Sequence, residues 1–152
     1  MMMTSSKRTS GSQLFLSFWK ASRAVMRVDQ QSIAALGFNS LSDFAVLEVL
    51  LHKGPLPVNT IGQKVLLTSG SITSAVQRLE NQGQVTRVRG EGDARVVVVH
   101  LTPQGRALIE EAYARHADDL EEVFADLSET ERVEFLKILK KIRKKAIPQN
   151  EK

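Results

Sequence analysis

From Ser12 to about Leu36 the apolar residues Leu14, Phe15, Phe18, Val25, Met26, Ile33 and Leu36 recur at roughly helical spacing, which predicts a long first helix. In the stretch NSLSDFAVLEVLLHKGP, Ser40 and Asp43 stand at capping-box spacing ahead of a second stripe, Phe44, Leu47, Leu50 and Leu51. Gly54 and Pro55 end that helix. Val58, Ile61 and Val65 then mark a short helix, and after a brief turn LTSGSITSAVQRLENQG carries Ile72, Val76 and Leu79 on one stripe. Past Gly83 the period shifts from that of a helix to that of extended chain. QVTRVR and RVVVVHL are β-branched runs joined by the glycine-bearing tip GEGDA, the pattern of a β-hairpin. Thr102 and Pro103 suit the N-cap and first turn of a further helix, whose apolar positions run from Leu108 to Leu127. SETE at Ser128 to Glu131 is a second capping box, opening a last helix through Val133, Leu136, Leu139 and Ile142 that ends before Pro148.

A chain of 152 residues with 42% hydrophobic and 25% charged side chains suits one ordinary globular fold. Without cysteine there is no disulfide, no thiolate nucleophile, no thiol-based redox switch and no cysteine metal site. No apolar run approaches the ~20 residues a membrane-spanning helix needs. The opening MMMTSSKRTSGSQ leads into an amphipathic segment with Lys20, Arg23 and Arg27 in place of an apolar signal core, so a cytoplasmic protein is expected, with residues 1–11 a loose tail. The net charge of +4 is unevenly spread: residues 53–100 carry six basic and three acidic side chains, whereas residues 101–136 carry three and ten. A basic middle beside an acidic flank predicts one face meant for an anion and another that is not.

The segment from Leu67 to Gly83 holds five serine or threonine residues within seven positions, Thr68 to Ser74. Such residues usually favour caps and turns, because their hydroxyls compete for backbone hydrogen bonds. Taken alone, a solvated surface helix would account for it. Its neighbours change that. A short helix, a tight turn, a second helix with a polar outer face and then a β-hairpin is the order of a winged helix-turn-helix, which sets its second helix into the DNA major groove. Small hydroxyls there allow close approach to phosphate, and Gly70 lets the backbone come nearer still. The helix N-terminus adds its dipole and unpaired N–H groups. Opposite the apolar stripe lie Ser69, Gly70, Thr73, Ser74 and Gln77, with Ser71 and Arg78 toward the edges. Gln77 has the groups for a bidentate contact to adenine, and Arg78 for guanine or phosphate. Lys64, in the preceding helix, is either a further DNA contact or a plain surface lysine. On the hairpin, Arg87, Arg89 and Arg95 suit a narrow minor groove, and Asp93 is placed to orient Arg95 through a charge-assisted hydrogen bond.

Other signals carry less. GEGD is a lone G-x-G with two acids nearby, a poor phosphate cradle. His52, His100 and His116 lack metal-ligand spacing, so no metal or cofactor is expected. No nucleophile–base set is evident, which argues against an enzyme. KKIRKK complements the dipole at the end of the last helix. The long terminal helices, residues 12–36 and 103–147, flank a DNA-binding unit at 40–102, and their apolar stripes call for a partner. A second copy packed against them would space two reading heads about one DNA turn (~34 Å) apart.

The residues FAVLEVLLHKGPLPVNTIGQKVLLTSGSITSAVQRLENQGQVTRV, followed by GDARVVVVHLTPQGRAL, resemble the multiple-antibiotic-resistance regulator (MarR) family of bacterial transcription factors, from about Leu14 to Ala146. The second stretch is the more specific: Asp93 and Arg95 before a strand, then Leu101, Thr102 and Gly105 opening a helix, match the family pattern. GQKVLLTSGSIT is similar to a subgroup linked to quinone and aromatic-compound responses. The resemblance implies a mainly α fold with a small β-hairpin wing, a winged helix-turn-helix joined into a homodimer through its N- and C-terminal dimerisation helices. It implies double-stranded DNA with a palindromic operator as the partner, usually repression, Arg95 entering the minor groove with Asp93 orienting it, and a small aromatic or phenolic effector in a cleft between the dimerisation region and the DNA-reading lobe. One departure is Gln84, which follows Gly83 where an apolar residue is common. Two rival functions share these features: a sequence-tolerant architectural DNA-binding protein, and a small-molecule-binding or protein-interaction module that has lost DNA binding.

Overall fold

A computed structural model describes residues 9–65 and 69–147. Leu67 and Thr68, in the predicted turn, lie outside the described residues, as does Pro148. The order is α1 (Gly11–Ala35), α2 (Leu41–Lys53), β1 (Leu56–Pro57), α3 (Val58–Val65), α4 (Ser69–Asn81), β2 (Val85–Arg89), β3 (Val97–Leu101), α5 (Pro103–Val123) and α6 (Glu129–Ala146). It is mainly α with a small antiparallel sheet, the winged helix-turn-helix arrangement. The described residues divide into two compact units, with the boundary between Asp119 and Leu120 of α5.

The predicted stripes of α2, α3 and α4 form one core in the first unit, whereas that of α1 is buried only near its end, at Ile33. Phe44, Leu47 and Leu50 of α2, Ile61 of α3 and Ile72, Val76 and Leu79 of α4 are all buried, joined by Val85, Val99 and Ile109. Each such side chain contributes about 1.5–3 kcal/mol by leaving water. The intervening Ala75 is buried too, and its small side chain allows α4 to lie close to its neighbours.

The helix starts differ in how they are capped. Ser10 and Gln13 form a reciprocal capping box at α1. At α2 the Ser40 hydroxyl accepts from the Ser42 N–H at 3.2 Å, but Asp43 does not complete the expected box. It turns toward α4 instead, as described below, because a buried carboxylate gains more from a guanidinium than from one more N–H.

The hairpin register pairs Val85 with Leu101 and Arg89 with Val97. A strand that the sequence pattern did not predict, β1, pairs with β3 on the other side, giving the order β1-β3-β2. Pro57 is tolerated because β1 is an edge strand. Between α4 and β2, Gly83 adopts φ 74° and its N–H bonds the Glu80 carbonyl, while the Gln84 N–H bonds that of Leu79. This double closure stops α4 and aims the chain into the wing.

The start of α5 is clamped to that turn. The Thr102 hydroxyl donates to the Gly83 carbonyl at 2.7 Å and accepts from the Gly105 N–H at 3.0 Å. A Cβ at residue 105 would lie 1.9 Å from the Gln84 carbonyl oxygen, so only glycine fits. Gln84 itself has a buried Oε1 without a hydrogen-bond partner, the local consequence of a polar residue at a position that favours an apolar one. Further along α5, His116 is buried, its Nδ1 against the Ser32 hydroxyl at 2.9 Å and its Nε2 3.1 Å from Asp29 of α1. The Ser32 hydroxyl also donates to Asp119. His116 is thus a packing joint between α1 and α5.

In the second unit, Ser128 and Glu131 form the predicted capping box of α6. Arg132 ties the corner by donating to the carbonyls of Phe124 and Leu127 and pairing with Glu121. No residue of α6 is buried, and Val133, Phe135, Leu136, Ile138 and Ile142 are exposed. On α1, Leu14, Phe15, Phe18, Trp19 and Met26 are between 46% and 65% exposed. Two apolar faces therefore stand open to solvent on the single chain.

Candidate nucleic-acid interface

With Ile72, Ala75, Val76 and Leu79 turned inward, helical geometry turns Gly70, Ser71, Thr73, Ser74, Gln77 and Arg78 outward, and all six are exposed. Ser69 is the first residue of α4. The first turn of α4 contains no acidic residue that would oppose a phosphate. Lys64 is exposed in the last turn of α3.

The arginines differ from one another in what holds them. Arg78 leans back into the fold: its Nη2 donates to Asp43 Oδ1 at 2.6 Å, its Nε bridges both Asp43 oxygens at 3.2 and 3.3 Å, and Nη2 also reaches the Ser42 hydroxyl. The Asp43 side chain is only 7% exposed, that of Arg78 43%. Hydrogen bonding to Asp43 raises the Arg78 pKa further above its ordinary value. Two of its three nitrogens are committed to Asp43 and Ser42, which ties α4 to the N-terminus of α2.

Arg87 projects from β2 on the same side as Val85, the side that packs on α4. Its Nε donates to Glu80 Oε2 at 2.8 Å and its Nη2 to Gln77 Oε1 at 2.8 Å. Gln77 Nε2 in turn donates to Asn81 Oδ1 at 2.9 Å. Arg89, two residues on, is exposed. Arg95 is 92% exposed at the hairpin tip, held by Asp93, whose Oδ1 accepts from the Arg95 N–H at 3.0 Å and from its Nε at 3.2 Å. The backbone hydrogen bond from Arg95, then that from its side chain, holds the Asp93 carboxyl below its ordinary pKa. Gly92, at φ 88°, makes the tight tip that brings the pair together.

Between α3, α4 and the hairpin lies a groove of about 710 Å³, floored by Val58 and Ile72 and rimmed by Asn59, Thr73, Arg87 and Arg95. An apolar floor with the free end of Arg95, the Thr73 hydroxyl and the Asn59 amide at the rim suits a phosphodiester backbone lying across it. Among the described residues, no three metal-binding side chains come together.

The structure thus brings the polar face of α4 and the hairpin arginines to one side of the first unit. It adds partners the sequence did not reveal: Asp43 for Arg78, and Glu80, Gln77 and Asn81 around Arg87. Opposite charges 35 residues apart leave no local trace. Glu80 and Arg87, flanking the Gly83 turn, carried a cue that a turn of known geometry makes readable.

Residues 39–112 match the family model described as "Transcriptional regulator SarA/Rot". The helix-turn-helix transcriptional regulator MhqR of Bacillus subtilis (strain 168) is 35% identical over 130 residues, 86% of this chain and 89% of that protein. A MarR family protein from Bacillus stearothermophilus shares the fold at TM-score 0.69 and 27% identity, over 90% of this chain and 98% of that one. BpsR of Bordetella bronchiseptica, whose DNA binding is regulated by 6-hydroxynicotinic acid, shares the fold at TM-score 0.72 and 24% identity, over 86% of this chain and 98% of that one. Its helix-turn-helix, its wing and its likeness to MhqR together place the chain in the MarR family of winged helix-turn-helix transcriptional regulators.

Proposed function

We propose that the chain is a homodimeric, ligand-responsive repressor of the cytoplasm that reads a palindromic operator. The observation that carries this is the outer face of α4, polar and exposed from Gly70 to Gln77, beside an Arg95 held outward by Asp93. In this account residues 40–102 are the DNA-binding part, with Ser69, Gly70, Ser71, Thr73, Ser74 and Gln77 entering the major groove. Lys64 and Arg89 meet phosphate, and Arg95 enters the minor groove. Arg78 acts through Asp43 by fixing the pitch of α4. Residues 12–36 and 103–147 supply the dimer interface. The open apolar faces of α1 and α6 support that assignment, since patches of this kind mark interaction sites. A small aromatic or phenolic effector favours a dimer conformation with the wrong spacing between heads, and releases DNA by its differential affinity for the two conformations.

The test is binding of the purified protein to the duplex upstream of its own gene, repeated with a panel of phenols and other aromatic compounds. Specific binding released by one ligand class is expected. Specific binding that no ligand releases would remove the inducible part of the proposal and leave DNA reading intact. Binding equal on every duplex would favour an architectural role.

A further inference from the structure

We propose that Arg87 is a positioning residue for sequence reading: it holds the plane of the Gln77 amide so that Gln77 meets a base already oriented. This rests on α4 being the DNA-reading helix.

An arginine on the wing of a DNA-binding protein would ordinarily be assigned to phosphate, and the sequence alone places Arg87 with Arg89 and Arg95. The structure separates them. Arg95 is 92% exposed, whereas Arg87 is 35% exposed and its guanidinium lies against α4. Its Nη2 is 2.6 Å from Glu80 Oε2, and its Nε donates to the same oxygen. A carboxylate this close neutralises the cation locally and would itself repel a phosphate brought beside it. The pair is therefore poorly suited to the DNA backbone and well suited to holding something within the protein.

What it holds is Gln77. The Gln77 Oε1 accepts from Arg87 Nη2 at 2.8 Å, and its Nε2 donates to Asn81 Oδ1, one helical turn on, at 2.9 Å. A primary amide offers two acceptor positions on oxygen and two N–H groups on nitrogen. One of each is used, so the amide is anchored at both ends and keeps one acceptor and one donor. That remaining pair is the complement of the N6–H donor and N7 acceptor of adenine in the major groove. An unanchored glutamine is rich in rotamers and loses them on binding, whereas this one is ordered beforehand. Glu80 aligns the guanidinium, and the closed turn at Gly83 fixes the distance from the last turn of α4 to β2.

The experiment uses the full chain and a set of duplexes in which each base pair of its protected upstream site is replaced in turn. Affinities are measured at several salt concentrations for wild type, Gln77→Ala, Arg87→Ala, Arg87→Lys and the double variant Gln77→Ala/Arg87→Ala. Gln77→Ala identifies the base pairs at which discrimination collapses, by about 5- to 150-fold for a bidentate contact. Arg87→Ala is expected to lose discrimination at those same base pairs and to keep the wild-type slope of log affinity against log salt. The double variant should lose nothing more there. Arg87→Lys keeps the charge but not the planar fork, and is expected to behave as Arg87→Ala does; it decides the matter if the alanine variant fails to fold.

Equal weakening on every duplex, with the salt slope reduced by about one, would make Arg87 a phosphate contact and overturn the proposal. Discrimination at the Gln77 base pairs surviving in both Arg87 variants would overturn it too, while leaving base reading by α4 in place. Absence of any preference in the wild type would overturn both.

Discussion

Replacing Arg78 by alanine leaves the Asp43 carboxylate, 7% exposed, without its cation, whereas replacing Asp43 by alanine leaves an Arg78 that is already 43% exposed and can turn to water. The two halves of one ion pair should therefore differ in their cost. Stranding a fully buried charge costs about 3–5 kcal/mol. Hydrogen bonds to a charged group contribute about 1.5–3 kcal/mol when desolvated, and about 0–1 kcal/mol where the partner is open to solvent as Arg78 is. Asp43 keeps Ser42 beside it and the Arg78 side of the pair is open to solvent, so Arg78→Ala is expected near 2 kcal/mol, the lower part of that combined range. Asp43→Ala removes a short side chain and strands nothing, and is expected to cost less, about 1 kcal/mol. Urea unfolding at one fixed protomer concentration, followed by circular dichroism, gives both values, and the double variant gives the coupling between them. Loss of less than about 0.5 kcal/mol in Arg78→Ala, the range of an ordinary surface change, together with a large drop in DNA affinity, would contradict a structural role for the pair. Arg78 would then be a DNA contact whose bond to Asp43 is incidental.

Gly105→Ala forces a Cβ to within 1.9 Å of the Gln84 carbonyl oxygen, and neither backbone segment can yield easily. A loss of at least the ~1–3 kcal/mol of ordinary overpacking is expected in thermal unfolding, and an unchanged melting temperature would contradict the clamp at the start of α5. Burial raises the Glu48 pKa against the opposing pull of His52 and His116. A carboxyl with a raised folded-state value favours the folded state most at low pH, and that contribution is lost as pH rises through the folded-state pKa. Glu48→Gln should therefore stabilise the protein at neutral pH and lose that advantage on acidification; a pH-independent difference would exclude the titration. Arg95→Ala should weaken binding to the upstream duplex by about an order of magnitude with no change in melting temperature. Unfolding, or unaltered affinity, would remove Arg95 from the interface.

Much of the fold could be read because its elements repeat one simple signal. Ile72, Val76 and Leu79 at helical spacing, and the β-branched runs either side of the tip at Gly92, state their burial and extension in local sequence. The short strand Leu56–Pro57 could not be read, since two residues show no alternation and proline argues against a strand; only the neighbouring β3 makes it one. Asp43 occupied a capping position and looked like a cap, but the arrival of Arg78 from 35 residues away gave it a stronger partner. The outer face of α4 was legible residue by residue, whereas the hydrogen bonds tying Gln77 to Arg87 and Asn81 depend on how the Gly83 turn folds β2 back beside the helix.

Whether the outer face of α4 with the Arg95 wing reads a DNA sequence is decided by one ratio: affinity for the duplex upstream of the gene against affinity for a scrambled duplex of the same length, at physiological salt. A sequence-reading regulator should show a preference of at least about 10³-fold. A ratio near one, with both affinities falling steeply and equally as salt rises, would show binding to the phosphate backbone alone and contradict the account.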